Sequence, residues 1–588
     1  ETMFAPVDFS GHDRITPFWF GPQASRLLGW YHAPHGAVVK GAVLLCSPFG
    51  HEYLVSYRSY RKLAETLADA GLACLFFDYD GTGDSAASEL PRVEAWRNSI
   101  IFAARELRTL SGVSSVVLFG TRLGALLAAS VASEVSASAI VMLAPVVAGR
   151  AFVREQLSFA RMSPLATVEE SRQKLSDEEV VGYPLSKATQ QDLATLDLTK
   201  MQYAAPTFII ERDDMPGQVA KLVSAWQSAG GSVEVSPAAG YAAMMTEDAH
   251  SASVPTAIWA EVRDWLLARL TTSTPVQAED GQLPRSMRVE NHYVEEVVVF
   301  NGLAGIITTP SWKLPRKTGV VLTNIGTSHR VGNHLLYVHL ARSLAALGYS
   351  VIRFDRAGTG YSRATPEGLE NDVYAASGID DVRFAVDCLQ TRCPCTRVVL
   401  AGLCSGAYFS YHAAVLDARV KGLVLINLLT FQWQAGDSLE TRIRESNKST
   451  DFYLRSVLEA HTWVRIIKGE VAVKRIAIAL VKRAGKKLLL YVHALLKRAA
   501  GKSETGGVVA ENFRQMLKRK VRVFFIFGAD DASQDVVAAE LGPDASLLKS
   551  PTKIRIETVR ATDHTFTPLW SQAHLRESVG QFMLNHFR

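Results

Sequence analysis

The chain has 588 residues, 48% of them hydrophobic and 21% charged, with a net charge of +5. At roughly 100–250 residues per domain that length makes two to four domains, and the apolar fraction excludes intrinsic disorder. No apolar run reaches about 18 residues, which excludes a membrane-spanning helix, and six scattered cysteines exclude a disulfide framework. Cys393 and Cys395 have no matching Cys/His pair downstream, so no zinc site is implied and no cofactor is expected. Glu1-Thr2-Met3-Phe4 carries no basic and apolar leader, so the expected location is the cytoplasm.

The chain is one pattern written twice. An apolar strand over 42–46 runs into Ser47-Pro48-Phe49-Gly50-His51; an amphipathic helix and a strand over 73–77 follow, ending in Asp78-Tyr79-Asp80-Gly81-Thr82-Gly83-Asp84-Ser85. In the second half Val320-Val321-Leu322-Thr323 runs into Asn324-Ile325-Gly326-Thr327-Ser328-His329. A helix and a strand over 351–354 then end in Asp355-Arg356-Ala357-Gly358-Thr359-Gly360-Tyr361-Ser362. The offset from Asp78 to Asp355 is 277 residues, which is a duplicated domain rather than a solenoid period. Short apolar strands alternating with helices predict parallel βα units, a sheet covered on both faces. The Thr-, Pro- and Gln-rich stretch over 271–286 is the expected linker. The expected organisation is therefore an α/β domain over 5–270 and a second over 287–588.

Both halves contain a strand that enters Gly-x-nucleophile-x-Gly and leaves as a helix, the nucleophile elbow. Glycines flank the nucleophile because the turn is sharp and larger side chains would strike the neighbouring backbone. On these elbows and the βα order, the chain resembles the α/β-hydrolase superfamily over nearly its whole length, in two tandem copies. In the second copy Gly402 and Gly406 frame Cys404; Ser405, framed by Leu403 and Ala407, is the alternative nucleophile. Gly528-Ala529-Asp530-Asp531 follows an apolar strand and supplies the acid, Asp531 in preference to Asp530. His564, in the loop Asp563-His564-Thr565-Phe566, is the expected base. In these roles Cys404 attacks a carbonyl carbon, His564 moves the proton and Asp531 holds the imidazole tautomer. The oxyanion is expected on the Ser405 backbone N–H and on one from the Ile325–Gly326 turn. His329 and His334 lie close by in sequence and carry no assigned role; plain surface positions are their default reading.

The first copy departs from this. Arg122 stands at the nucleophile position and cannot attack, since its pKa exceeds about 12. The histidine loop reads Gly240-Tyr241, leaving Asp213 and Asp214 alone of the catalytic set. This half is expected to have lost its chemistry. Arg122 either binds a carboxylate or phosphate or, the favoured reading, pairs with Asp213 or Asp214 and holds the old site shut.

Between the strand over 422–427 and the acid strand lie roughly ninety residues, too many for a simple connection. They predict helices over 451–467, 471–484, 487–500 and 510–518, a cap over about 435–520. From 461 to 502 there are eleven Lys/Arg and one acid, +10, leaving −5 for the rest of the chain. Such a segment suits an acidic protein partner or a phosphorylated substrate arm. Contact with an anionic membrane surface is the competing reading. Nucleic acid ranks last, for want of aromatic interleaving or a reader motif.

The second copy is similar to the exosortase A system-associated hydrolases, through Arg330-Val331-Gly332-Asn333-His334, Leu340-Ala341-Arg342, Arg353-Phe354-Asp355 and Gly402-Leu403-Cys404. The cap fragments Trp463-Val464-Arg465 and Lys468-Gly469-Glu470 carry the same likeness. The first copy resembles their companion hydrolase through Pro48-Phe49 and Gly83-Asp84-Ser85, in a degenerate form. The cysteine elbow is also similar to aminoacyltransferases that pass acyl groups between carrier proteins. The leading expectation is cysteine-dependent acyl transfer or thioester hydrolysis in a biosynthetic pathway. The donor would be coenzyme A or the pantetheine arm of an acidic acyl carrier protein, which the basic cap would dock. An esterase, lactonase or peptidase of the same fold is the alternative, and a non-catalytic carrier-binding scaffold the third reading.

Overall fold

Short runs of apolar residues become strands because both faces of each are covered. Gly41–Cys46 is buried along its whole length; Leu44 and Cys46 face one apolar cluster while Val43 and Leu45 face another. That two-residue alternation is the pleat of a sheet packed on both sides. The computed structural model describes residues 14–162, 173–201, 203–246, 249–270, 274–275, 283–366, 368–434, 437, 507–548, 550 and 552–588. The basic segment over 461–502, and the three helices expected between 451 and 500, lie outside the described residues. Among the described residues no helix is long and apolar enough to cross a membrane.

The strands in chain order are β1 (Ile15–Phe20), β2 (Leu27–His32), β3 (Gly41–Cys46), β4 (Leu72–Phe77), β5 (Val116–Thr121), β6 (Ala139–Leu143), β7 (Thr207–Ile210) and β8 (Val233–Ser236). Then come β9 (Ser286–Val289), β10 (Tyr293–Phe300), β11 (Leu303–Pro310), β12 (Thr318–Thr323), β13 (Ser350–Phe354), β14 (Arg397–Leu403), β15 (Val420–Ile426), β16 (Arg522–Gly528) and β17 (Ile554–Val559). The described residues fall into two compact units, one from 1–166, 175–316 and 327–377, the other from 167–174, 317–326 and 378–588.

In the first unit one sheet has the order β1-β2-β4-β3-β5-β6-β7-β8. Its β1–β2–β4 edge is antiparallel and the remainder parallel. Helix α1 (His51–Asp69) packs Tyr57, Tyr60, Leu63 and Leu67 into one face. Helices α2 (Arg92–Ser111) and α3 (Leu123–Val131) cover the other. The same unit holds the antiparallel set β9-β10-β11-β13. Within the expected linker, Thr274–Pro275 pairs with Val38–Val39. In the second unit the order β12-β14-β15-β16-β17 is parallel throughout, matching the order β3-β5-β6-β7-β8. Helix α4 (Ser405–Leu416) leaves β14 directly, and α5 (Val508–Lys518) occupies the stretch expected as the last cap helix. The fold is α/β, mostly parallel sheets covered by helices.

The repeated Asp-to-Ser segments close with the same hydrogen-bond circuit. The Asp84 amide donates to Asp78 Oδ2 (2.9 Å), Ser85 Oγ to the Asp78 carbonyl (2.8 Å), and Leu28 N to Ser85 Oγ (3.0 Å). At +277, the Tyr361 amide donates to Asp355 Oδ2 (3.0 Å), Ser362 Oγ to the Asp355 carbonyl (2.5 Å), and Ala304 N to Ser362 Oγ (2.8 Å). The segments differ at three positions, Tyr79/Arg356, Asp80/Ala357 and Asp84/Tyr361, and the last of these puts a charge in the interior.

That aspartate is wholly buried and meets two guanidinium groups. Arg330 Nη2 reaches Asp84 Oδ2 at 2.6 Å and Arg353 contacts Asp84 Oδ1. Arg330 also pairs with Asp355 (2.9 Å), Arg353 with Glu295 (2.7 Å), and Arg342 with Glu295 (2.8 Å). Three arginines thus face Asp84, Glu295 and Asp355 in the interior of the first unit. Burial would raise the Asp84 pKa, but the Arg330 and Arg353 charges override it and bring it down to about 2. Neighbouring Asp78 is pushed up to about 7, by burial first and then by the Asp84 charge. His329 and His334 are both buried here, not on the surface. His329 stacks on Tyr57 with centroids 3.6 Å apart, and burial, then the Arg330 charge, hold it well below the usual imidazole range.

Candidate active site

Within the second unit β14 ends at Leu403, α4 begins at Ser405, and Cys404 is the hinge between them with φ 58° and ψ −120°. A non-glycine residue held there costs about 1–3 kcal/mol and persists only when its surroundings over-determine it. The surroundings are visible. The Cys404 amide donates to the Ile426 carbonyl (2.9 Å) and its carbonyl accepts from Ala407 N (3.1 Å). A Cβ on Gly402 would lie 2.2 Å from the Gly406 carbonyl carbon, and one on Gly406 would lie 2.3 Å from the Thr323 oxygen. The elbow spacing is therefore steric. Gly406→Ala is expected to lower the melting temperature and the folded yield, because the atoms it strikes are backbone of a central strand. A circular-dichroism melt identical to that of the unaltered protein would contradict this.

The carboxylate that meets the imidazole is that of Asp531: His564 Nδ1 and Asp531 Oδ2 are 2.6 Å apart. Asp531 is buried, and its other oxygen accepts from the Ser533 amide (2.9 Å). Burial would raise its pKa; the His564 charge and these hydrogen bonds lower it. The His564 side chain is 32% exposed, yet its Nε2 is shielded from solvent, and Cys404 lies close enough to act on the ring. Burial alone would lower the imidazole pKa. The Asp531 carboxylate and then Cys404, both close enough to act on it, raise it well above 6.5. Neighbouring Asp563 turns away, accepting from the Thr567 amide (2.7 Å) and hydroxyl (2.6 Å) to brace the loop.

Ser405 and the turn differ from expectation. Ser405 is fully buried and its Oγ accepts the Gly326 amide at 2.8 Å. That amide is engaged by Ser405 Oγ, which counts against Gly326 as an oxyanion donor. The Ser405 backbone N–H opens helix α4, where unsatisfied amides favour negative charge. With its hydroxyl turned onto the turn backbone, Ser405 is placed to brace the site rather than to attack.

The first unit carries a second elbow of the same shape, Arg122 at φ 53° and ψ −119°. The expected pairing with Asp213 or Asp214 is corrected. Buried Arg122 reaches Glu52 Oε1 (2.9 Å) and contacts Glu155 Oε2. Asp214 instead pairs with Arg212 (2.8 Å), which lies over the Tyr241 ring, and Asp213 accepts the Gly240 (2.7 Å) and Ala242 (2.9 Å) amides. Two carboxylates balance the one buried guanidinium, so its charge is not held open for an anionic ligand.

Sequence reasoning passed over Asn427, at the end of β15. Its Nδ2 donates to the His564 carbonyl (2.7 Å) and its Oδ1 accepts the Gly528 amide (2.9 Å). The signal available was a lone Asn closing a buried apolar strand.

A strained hinge joins a parallel strand to a helix, and an acid and a histidine meet on following strand ends. A family profile described as serine aminopeptidase, S33, matches residues 38–190 and 322–437. No curated protein matches the sequence. Among solved structures the chain is similar to Est1E from Butyrivibrio proteoclasticus, determined with ferulic acid, at 16% identity and a TM-score of 0.33, over 43% of this chain and 99% of that one. It is also similar to a soluble variant of monoglyceride lipase from Saccharomyces cerevisiae, at 17% identity and a TM-score of 0.32, over 46% of this chain and 100% of that one. A proline iminopeptidase-related protein from Thermus thermophilus gives 19% identity and a TM-score of 0.31, over 44% and 99%. The profile match spans parts of both halves of the chain and less than half of its residues.

Proposed function

We propose that the chain is a cysteine-dependent hydrolase of carboxylic esters or amides, an esterase, lactonase or peptidase working through an acyl-Cys404 intermediate. The observation that carries this is the 2.6 Å His564–Asp531 contact, with the strained Cys404 close enough to act on the same imidazole. The Cys404 sulfur attacks the carbonyl carbon as its proton passes to His564 Nε2, and the oxyanion meets the Ser405 and Ile325 amides. A thiolate is a better leaving group than an alkoxide or amide anion, so an unaided intermediate would collapse backward. A histidine kept protonated by Asp531 corrects that, because it gives its proton to the departing oxygen or nitrogen. Water then attacks the thioester, His564 takes its proton, and acid and thiol are released.

Transfer of the acyl group from a thioester is the second reading, favoured by the identity of the nucleophile. Thiolate exchange with a coenzyme A or pantetheine thioester is near-neutral in free energy, and the basic segment over 461–502 suits such a donor or its acidic carrier. On either reading the chain is two copies of one fold, and the first copy has no nucleophile.

Intact-protein mass spectrometry after mixing with aryl esters, aminoacyl anilides and acyl-pantetheine thioesters tests this. An acyl increment from esters or anilides that water clears supports the hydrolase. An increment formed only from thioesters, and cleared faster by amines than by water, replaces it with the transferase.

A further inference from the structure

We propose that Asn427 is a positioning residue for the acid–base pair, fixing the Asp531 turn and the His564 loop to one strand end; this rests on the cysteine-triad reading above. The side chain is completely buried, and the residue sits at φ 43° directly after β15. Its carboxamide faces two ways. Nδ2 donates to the carbonyl of His564 itself at 2.7 Å. Oδ1 accepts the Gly528 amide (2.9 Å), three residues before Asp531, and the Ser533 hydroxyl (3.3 Å), two residues after it. Ser533 in turn gives its amide to Asp531 Oδ1 (2.9 Å).

The orientation of the carboxamide is forced, since a carbonyl needs a donor and an N–H needs an acceptor. Only a group carrying both on one short planar head can serve here. Aspartate has no donor for the His564 carbonyl, and an aliphatic side chain leaves three buried polar groups unpaired. The acid and the histidine stand on loops that follow different strands, β16 and β17, and their contact depends on the spacing of those loops. Asn427 sets that spacing from a third strand, without touching a reacting atom.

The titratable groups facing the imidazole are Asp531 and Cys404; Asp563 is turned onto Thr565 and Thr567. A misplacement of about 1 Å in such a site costs roughly 10²-fold. The test is the pH profile of Cys404 alkylation by iodoacetamide in the full chain, read on the Cys404 peptide by mass spectrometry. The profile of the unaltered protein is the reference, since the thiolate is the form that alkylates. His564→Ala should move the profile to higher pH, and Asn427→Ala should move it the same way, slowing reaction at pH 6.5 by about tenfold or more. Asn427→Asp, equal in size, should also shift it by losing the His564 contact, and it carries the test if the alanine variant does not fold. A folded Asn427 variant with the unaltered profile overturns the positioning role. A His564→Ala profile equal to that of the unaltered protein overturns the triad reading instead.

Discussion

Replacing Cys404 by alanine is expected to abolish turnover, by about 10⁴-fold or more, and to remove every acyl adduct on the intact protein. The loss should leave stability nearly unchanged, because Cys404 is only half-buried and lies at the hinge rather than in the core. Alanine in its place is held in the same left-handed backbone by the same contacts. Ser405→Ala is expected to behave differently. It leaves the Gly326 amide without its acceptor, costing about 1–3 kcal/mol, and reduces activity while the adduct still forms on Cys404. An adduct that survives in Cys404→Ala and vanishes in Ser405→Ala would reverse the assignment.

The second large effect concerns stability. Asp84→Ala is expected to destabilise the protein by about 3–5 kcal/mol, since it leaves three buried arginines facing only Glu295 and Asp355. Against a typical total of about 5–15 kcal/mol that is a large fraction. Urea unfolding of the full chain, followed by tryptophan fluorescence, measures it; Trp30 lies against both Arg330 and Tyr361. A shift below about 1 kcal/mol for Asp84→Ala would mean that water reaches the cluster.

The parallel strands and the elbows were legible in the sequence for a local reason. Parallel strands covered on both faces are short continuous apolar runs, and a turn with no room for a Cβ admits only glycine at Gly402 and Gly406. The dyad was legible as well, since acid and histidine each follow a strand end in fixed chain order. Asn427 was not, because an asparagine closing a strand looks the same whether its carboxamide meets water or two distant loops.

What the sequence by itself determined is the backbone: two runs of βα units, the hinge residues Arg122 and Cys404, and the strand ends that carry Asp531 and His564. What only the tertiary structure decided is which side chain meets which. Arg122 found Glu52 and Glu155 rather than Asp213 or Asp214, the Gly326 amide found Ser405 Oγ, and Asp84 found Arg330 and Arg353. These partners lie 33 to 269 residues apart. Apolar period and glycine spacing are set by neighbours along the chain, whereas a buried charge or amide is satisfied by whatever the packed strands bring within about 3 Å.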